Sequence, residues 1–208
     1  MNKHMKIMAL AALLCTMGVF TGCDESEVGN ESCSACETMT DSHDGQVYRT
    51  IKIGNQVWMA ENLKVVMENS WCYENKPENC QKYGRLYTWD MANGACPEGW
   101  RLPSKQDFDF LLSEVGGQSV AGQKLKSKKG WKKNGNGTGE FEFMALPAGI
   151  RLENGKFLNL GEYAYFWTST LYQGDDAYNM YLDRASNSAF MFDDLRFNGR
   201  SVRCIKAD

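Results

Sequence analysis

The sequence predicts an α+β domain in which two helices near the start are followed by a series of short antiparallel strands. Three observations support this prediction. Apolar and polar residues alternate at 47–63, an apolar stripe with helical spacing covers 108–115, and short aromatic-rich segments separated by Gly, Asn and Asp follow residue 140. The 208 residues, of which 43% are apolar, suffice for one domain with a sizeable core plus appendages.

The N-terminus has the composition of a bacterial secretory signal. Lys3 and Lys6 precede an apolar run at 7–20, which is too short to span a bilayer comfortably. The stretch "FTGC" then resembles a lipobox, although Phe20 stands where an aliphatic residue is usual. We therefore expect residues 1–22 to be removed and Cys23 to be lipidated, with signal cleavage without a lipid as the alternative.

An acidic segment separates this signal from the domain. Residues 23–44 contain seven acidic residues, no Lys or Arg and few apolar residues, which predicts a disordered tether. Such a segment after a lipidated cysteine resembles the surface-export signals of some Bacteroidetes-type lipoproteins, or it simply keeps the linker solvated. The formal net charge of the chain is -3, which favours neither nucleic acid nor an anionic membrane surface as a partner.

A hairpin and a short helix open the domain, which we take as residues 45–208. Within 47–63 the alternating residues flank Gly54-Asn55, which predicts two strands joined by a tight turn. The stretch "LYTWDMANGA", residues 86–95, predicts a short helix that ends at Gly94.

The segment 104–117 carries the strongest helix signal in the chain. Ser104 followed by Asp107 is a variant of the capping box, which ties a helix N-terminus to its first turn. Gly116-Gly117 predicts the end of the helix. The apolar face at i, i+3, i+4 and i+7 consists of Phe108, Leu111, Leu112 and Val115.

A lysine-rich loop and five strand-like segments complete the domain. Six lysines lie between 124 and 133 around Trp131, and a Gly/Asn run up to 139 predicts a solvated loop. An exported chain meets little nucleic acid, so an acidic polysaccharide is a better partner for these charges. The strand-like segments are "FEFMALPAGIRL", "KFLNLGEYAYFWTSTL", "DAYNMYLDR", "SAFMFDD" and "GRSVRCIKA".

Cysteines indicate disulfide staples. Apart from Cys15 in the signal and Cys23 in the lipobox, six of the eight cysteines remain. An even number in an exported chain predicts disulfides, because the compartments beyond the inner membrane are oxidising. Proximity in the sequence favours Cys33–Cys36 and Cys72–Cys80, which leaves Cys96 to pair with Cys204.

The histidine count excludes several kinds of catalytic site. His4 lies in the signal and His43 in the tether, so residues 45–208 contain none. Ser–His–Asp and Cys–His catalysis both need a histidine, and so do the common zinc sites unless cysteines replace it. We therefore expect no cofactor and no metal. Two weaker alternatives are redox chemistry at the "CSAC" of the tether and a zinc site made of Cys33, Cys36, Cys72 and Cys80.

Six blocks stand in a fixed order along about residues 44–208. They are "DGQVYRTIKIGNQVWMAENL", "YGRLYTWDMA", "CPEGWRLPS", "GNGTGEFEFMALPAGIR", "FWTST" and "SVRCIK". Together they resemble the Fibrobacter succinogenes major paralogous domain family, which occurs in exported and lipid-anchored bacterial proteins. Its fold is similar to the C-type lectin-like fold. The resemblance implies short antiparallel sheets flanked by two helices, paired N- and C-terminal strands, and "FWTST" in the core sheet.

This resemblance favours a surface-anchored binding or adhesion module. In lectin-like folds the ligand contacts long loops and the strands beside them, which here are 124–139 and 163–188. We expect a glycan or a surface protein as ligand, because aromatic rings stack on sugar faces and carboxylates accept sugar hydroxyls. The candidate contacts, each of which could instead belong to the core or scaffold, are Trp131, Tyr163, Tyr165, Tyr172, Asp175, Asp176 and Tyr178.

Other functions fit the sequence less well. The E-P-N, Q-P-D and W-N-D motifs of calcium-dependent lectins are absent, and Asp175-Asp176 or Asp193-Asp194 as cation ligands compete with solvated turns. The lectin-like fold also occurs in formylglycine-generating oxidases, which use paired cysteines and copper, and a hydrolase with two carboxylates is a further alternative. We expect instead a non-catalytic lipoprotein that its lipid holds in the bacterial outer membrane, facing either the periplasm or the cell surface.

Overall fold

The computed structural model describes residues 37–207, and this part of the chain contains thirteen strands and four α-helices. The strands are β1 (Glu37–Thr40), β2 (Val47–Ile53), β3 (Gln56–Met59), β4 (Ser70–Trp71), β5 (Leu86–Tyr87), β6 (Trp100–Arg101), β7 (Ile150–Arg151), β8 (Phe157–Leu158), β9 (Tyr163–Leu171), β10 (Asp176–Asp183), β11 (Ala189–Leu195), β12 (Arg200–Ser201) and β13 (Ile205–Lys206). The helices are α1 (Pro77–Tyr83), α2 (Trp89–Ala92), α3 (Lys105–Glu114) and α4 (Gln118–Leu125). The domain is therefore a mixed α/β structure with few helices.

A five-stranded sheet brings the first and last strands of the domain together. Its order is β1-β2-β3-β13-β6, and β2 and β3 form the predicted hairpin around Gly54, whose φ is +59°. Ile205 of β13 pairs with Trp58 of β3 on one side and with Arg101 of β6 on the other. The last strand thus pairs with the hairpin that opens the domain, through β3 and not through β1.

A six-stranded sheet holds the long strands. Its order is β11-β10-β9-β12-β5-β4, in which β9, β10 and β11 follow one another as an antiparallel meander. Strand β12 runs parallel to β9, with Ser201 opposite Phe166. A small separate sheet joins β7 and β8.

Strand β1 corrects the predicted extent of the tether. Residues 37–40 pair along their whole length with β2, from Glu37 opposite Thr50 to Thr40 opposite Val47. A turn follows in which buried Asp41 accepts a hydrogen bond from the His43 main-chain N–H at 2.8 Å. A disordered tether up to residue 44 is therefore wrong for 37–44, because main-chain pairing with β2 orders a segment whose composition favours disorder.

The helix predicted at 104–117 forms as α3. The Ser104 hydroxyl accepts from the Asp107 main-chain N–H, and the Asp107 carboxylate accepts from the Ser104 main-chain N–H, which completes the capping box. At the other end the Gly117 N–H donates to the Leu112 carbonyl and the Gly116 N–H donates to Ser113, as in a Schellman motif.

The expectation of two helices is wrong, because α1 and α4 are also present. Helix α4 begins directly after Gly117 and ends at Leu125, so the lysine-rich loop starts later than residue 124. Lys126 is buried, and its ammonium donates to the carbonyl oxygens of Asp183 at 3.0 Å and Ser186 at 2.8 Å. Part of the basic stretch is therefore structural rather than solvated.

Two further segments differ from the predictions. Residues 86–87 form strand β5 between β12 and β4. Of the helix predicted at 86–95, only α2 (Trp89–Ala92) forms. In "FEFMALPAGIRL" only Ile150–Arg151 is a strand. Before it, Ala145 forms an isolated bridge beside the end of α4: its N–H donates to the Leu125 carbonyl, and its carbonyl accepts from the Ser127 N–H.

Two disulfides join parts of the domain. The structure contains Cys72–Cys80 and Cys96–Cys204, the two domain pairs that the sequence predicts. A four-cysteine zinc site is therefore wrong, since Cys72 and Cys80 bind each other. The expected lipidation at Cys23 and the expected Cys33–Cys36 pair lie outside the residues that the structure describes.

The largest apolar cluster draws side chains from both large sheets, α3 and α4. Trp58 lies at its centre, with ring centroids 5.1 Å from Phe108 and 5.8 Å from Phe143. Beside these rings is the fully buried Arg203, whose guanidinium donates to Asn62 Oδ1 at 2.6 Å and to the Phe143 carbonyl. Burial lowers the pKa of Arg203 to about 9, and the guanidinium stays charged at neutral pH.

Between residues 37 and 207, no helix has both the length and the apolar character needed to cross a membrane.

Candidate functional site

The meander β9–β10–β11 has one buried face and one aromatic face. Side chains alternate between the two faces of a strand. One side of the meander is buried in the core through Ala164, Phe166, Met180, Leu182 and Ala189. Six aromatic side chains lie on the other side, of which Trp167 is fully buried. We call the remaining five the aromatic face: Tyr163, Tyr165, Tyr181, Phe190 and Phe192.

The five rings contact one another across all three strands. Tyr163 and Tyr165 are stacked, with centroids 5.5 Å apart and planes within 8°. Tyr181 stacks on Phe190 at 4.9 Å and lies 6.0 Å from Tyr165, so the two stacked pairs are joined. Phe192 meets Tyr181 edge-on at 6.4 Å and is 57% exposed. The result is a continuous set of rings in which Phe192 is exposed and the other four are half-buried.

A buried arginine lies on the same side of the sheet, beside Tyr165 and Trp167. The guanidinium of Arg200, only 1% exposed, lies 4.7 Å from the Tyr165 ring and 4.8 Å from the Trp167 ring. It donates to Asn179 Oδ1 at 3.0 Å and forms an ion pair with Asp194. Burial lowers the pKa of Arg200 to about 10, partly offset by the Asp194 carboxylate, so the cation persists at neutral pH.

Hydrogen bonds fix the surrounding polar groups. The Asn159 amide donates to the Tyr165 hydroxyl at 3.0 Å, and the Asn198 amide donates to Asp194 Oδ1 at 3.2 Å. Burial raises the pKa of Tyr165, so its phenol keeps the proton at neutral pH and can donate it to an acceptor. The aromatic face is thus held in one arrangement by a polar network beside it, which lowers the entropic cost of binding.

Tyr163 and Tyr165 are the two predicted contact residues on this face. The prediction for Trp131 is wrong, because this residue is 5% exposed and belongs to the main core. Its indole N–H donates to Ser127 Oγ and to the Ala145 carbonyl, both at 3.1 Å. The glycines and lysines around Trp131 are typical of a solvated loop, so the local composition gives no sign that Trp131 belongs to the core.

The other four predicted contacts lie at the tip of the β9–β10 hairpin. Tyr172 and Tyr178 meet edge-on at 5.2 Å, and the Lys105 ammonium lies 5.7 Å from the Tyr178 ring. Tyr178 alternates onto the same side of β10 as Met180, opposite the aromatic face. Asp175 forms an ion pair with Arg196 at 3.1 Å, and Asp176 begins β10. The predicted set therefore splits into two groups on different sides of the meander.

Sequence reasoning missed Tyr181, Phe190 and Phe192. Each follows the alternation of its own strand in "DAYNMYLDR" or "SAFMFDD". Their common face depends on the register that sets Tyr181 opposite both Tyr165 and Phe190, which no local pattern records. The local sequence signal for these three residues is the alternation of side chains between the two faces of each strand.

A groove lies between α3 and the β3–β13–β6 part of the five-stranded sheet. It is a groove of about 570 Å³ lined by Asn55, Gln56, Arg101, Gln106, Asp107 and Lys206 among others. The Asp107 carboxylate accepts two hydrogen bonds from Arg101 at 2.6 and 3.0 Å, so this charge is neutralised locally. Across residues 37–207, no three His, Cys, Asp or Glu side chains are grouped to hold a metal ion.

A known family model matches most of the domain. The family model described as the Fibrobacter succinogenes major domain matches residues 51–206. The matched segment starts in β2 and ends in β13. It therefore includes the paired strands β3 and β13 and the entire aromatic face. No curated protein and no solved structure matches the chain.

Proposed function

The chain belongs to the Fibrobacter succinogenes major domain family, and from this premise we propose that it is a non-catalytic binding or adhesion module with a C-type lectin-like fold. The lectin-like fold is supported by the paired terminal strands, in which Ile205 lies beside Trp58. The short antiparallel sheets and the two disulfides agree with it.

The observation that carries this proposal is the aromatic face. Five rings lie on one side of three adjacent strands, and one of them, Phe192, is 57% exposed. Leaving such rings in water costs free energy that a ligand recovers when it covers them. Their hydroxyl-bearing members, Tyr163, Tyr165 and Tyr181, add hydrogen-bonding groups. Rings and hydroxyls together suit a glycan or a protein surface as ligand.

The anchor completes the proposal. We assign residues 1–22 to a lipoprotein signal and Cys23 to the lipidated position, so that the domain is held at the bacterial envelope. The membrane is then a partner through the lipid alone. A Cys23→Ala chain is expected to leave the membrane fraction on cell fractionation, whereas retention there would contradict the anchor.

A pair of variants tests whether the aromatic face binds the ligand. Purified protein is screened against plant cell-wall and host glycans and against surface proteins, and the best ligand is titrated by calorimetry. We expect Phe192→Ala to weaken binding about tenfold or more, because it removes the most exposed ring of the aromatic face. Tyr172→Ala is the matched control, since Tyr172 is 45% exposed but lies at the hairpin tip.

The control also distinguishes the two groups of candidate residues. Unchanged affinity in Tyr172→Ala with weakened affinity in Phe192→Ala supports the aromatic face. The reverse result would move the binding site to the hairpin tip. A different result would indicate an oxidase instead of a binding module: a free Cys96 thiol, copper uptake by the protein and oxidation of a cysteine in a peptide substrate.

A further inference from the structure

The small disulfide loop carries a feature that ligand binding does not use. Cys72 directly follows β4, and Cys80 lies eight residues later in α1. Both cysteines are partly exposed. The loop between them is largely exposed as well, so a reagent in solution can approach the bond.

A positively charged side chain lies against both sulfur atoms. The NH1 nitrogen of Arg85 is 3.6 Å from Cys72 Sγ and 3.5 Å from Cys80 Sγ. The rest of the guanidinium is fixed elsewhere, since Nε donates to Ser70 Oγ at 2.9 Å and NH2 donates to the Ser70 carbonyl at 2.6 Å. Ser70 is itself buried. Arg85 therefore keeps its position whether or not the sulfurs are bonded to each other.

This position has a chemical consequence for the sulfurs. A disulfide is neutral, whereas the dithiol that replaces it can lose a proton and become a thiolate. A fixed cation within hydrogen-bonding distance stabilises the thiolate and leaves the disulfide nearly unaffected. The reduced form is thereby favoured, and the bond becomes a stronger oxidant than it would be without Arg85.

The second disulfide has more apolar surroundings. Cys204 is 0% exposed and Cys96 is partly buried, and both lie in an apolar cluster with Val202, Ala95 and the partly buried Trp100. A thiolate at Cys204 would be desolvated, which disfavours the reduced form. The same protein thus contains one disulfide that a cation makes easier to reduce and one that burial protects.

We propose that Cys72–Cys80 is a thiol–disulfide exchange site that reacts with dithiols, while Cys96–Cys204 is a structural bond. A thiolate of the dithiol attacks one sulfur and forms a mixed disulfide, and the other cysteine leaves as a thiolate beside Arg85. The second thiol of the reagent then attacks the mixed disulfide and releases the first cysteine. Two electrons and two protons pass to the protein, and the reagent becomes a disulfide.

The test uses the full chain and dithiothreitol as the dithiol. The protein is equilibrated with graded ratios of reduced to oxidised dithiothreitol without oxygen, free thiols are alkylated, and each cysteine peptide is measured by mass spectrometry. We expect Cys72–Cys80 to be half-reduced at a ratio at least about tenfold lower than Cys96–Cys204. If the two bonds open together, or Cys96–Cys204 opens first, the proposal is wrong.

Variants at Arg85 isolate the role of the cation. Arg85→Met is expected to raise the ratio needed for half-reduction of Cys72–Cys80 by about three- to tenfold, and Arg85→Lys to restore part of the difference. The melting temperature of each oxidised variant checks that it folds. If Arg85→Met does not fold, Ser70→Ala removes the bond to Nε and leaves the guanidinium held by the Ser70 carbonyl alone, which should raise the same ratio by a smaller factor. An unchanged ratio in a folded variant overturns the proposal.

Discussion

At the scale of single residues, Asp107 links three parts of the domain. Its carboxylate accepts hydrogen bonds from Arg101 at 2.6 and 3.0 Å, from the Ser104 N–H at 2.6 Å and from Gln56 at 3.3 Å. Burial alone would raise the pKa of Asp107, but the bonds from Arg101 and Ser104 together lower it. The ionised carboxylate therefore joins the start of α3 to β3 and β6.

We expect Asp107→Asn to lower the free energy of unfolding at pH 7 by about 1–3 kcal/mol, because the amide cannot accept all these bonds. The pKa of Asp107 is lower in the folded than in the unfolded chain, where it is 3.8. Its contribution is therefore complete above that value and disappears as the pH falls through the folded-state pKa. Urea unfolding at pH 7 and at about pH 2.5 measures the change.

The control for this prediction is Asp109→Asn. Asp109 forms an exposed pair with Lys105 at 2.8 Å on the same helix, so its loss should change the stability by only a few tenths of a kcal/mol. An effect of Asp107→Asn that is the same at both pH values would show that its charge has no part in holding α3.

Single residues also show how far the candidate site can be predicted. Tyr165 and Trp131 are both aromatic residues near glycines, and the sequence makes both candidates for ligand contact. They differ in what covers them, since the Trp131 indole is enclosed by the Ala145 and Ser127 segments, whereas Tyr165 stands on an outer sheet face. The burial of Trp131 depends on how the segment from Ser127 to Ala145 folds around it, so residue type alone cannot separate the two.

At the scale of elements, the predictions succeed where local signals agree. Helix α3 has a capping box, an apolar stripe and a glycine stop, and it forms as expected. Helix α4 has no side-chain cap at Gly117 and contains Gly122 in its interior, so its sequence carries little helix signal. It forms because tertiary contacts hold it, including the bond from the Gln123 N–H to the Asn187 carbonyl.

Gly122 is the residue through which α4 packs closely on the chain before β11. A Cβ atom at this position would lie 2.2 Å from the Ser188 carbonyl oxygen. We expect Gly122→Ala to lower the free energy of unfolding by about 1–3 kcal/mol, although alanine favours helices by about 1 kcal/mol over glycine. Urea unfolding monitored by circular dichroism measures this.

Gly94→Ala is the matched control, because an added Cβ there meets nothing within 4 Å and Gly94 does not require a positive φ. Its stability should stay within about 1 kcal/mol of the parent. A Gly122→Ala variant as stable as Gly94→Ala would mean that α4 shifts easily and is not held by close packing.

At the scale of the whole molecule, the Cys96–Cys204 bond joins the middle of the domain to its last strand. The two cysteines are 108 residues apart, against 8 for Cys72 and Cys80. The sequence predicts both pairs from their spacing, and it predicts that the terminal strands meet. The order of strands within each sheet is not predictable in the same way, because it depends on pairings between distant segments.

We expect the paired change Cys96→Ser with Cys204→Ser to lower the free energy of unfolding by about 4–5 kcal/mol in the chain-entropy model. Cys72→Ser with Cys80→Ser should cost about 2–3 kcal/mol, since the closed loop is short. Thermal unfolding of the two double variants compares them directly. An unchanged melting temperature without the Cys96–Cys204 bond would rule out its role as a staple.

The place of β13 inside the five-stranded sheet has a kinetic consequence. Ile205 lies between Trp58 and Arg101, so β3 has no neighbour on that side until residues 205–206 are available. Pairings this distant along the chain are slow to form, because a large loop must close before any contact is gained. The sheet is therefore completed only after synthesis of the segment has finished.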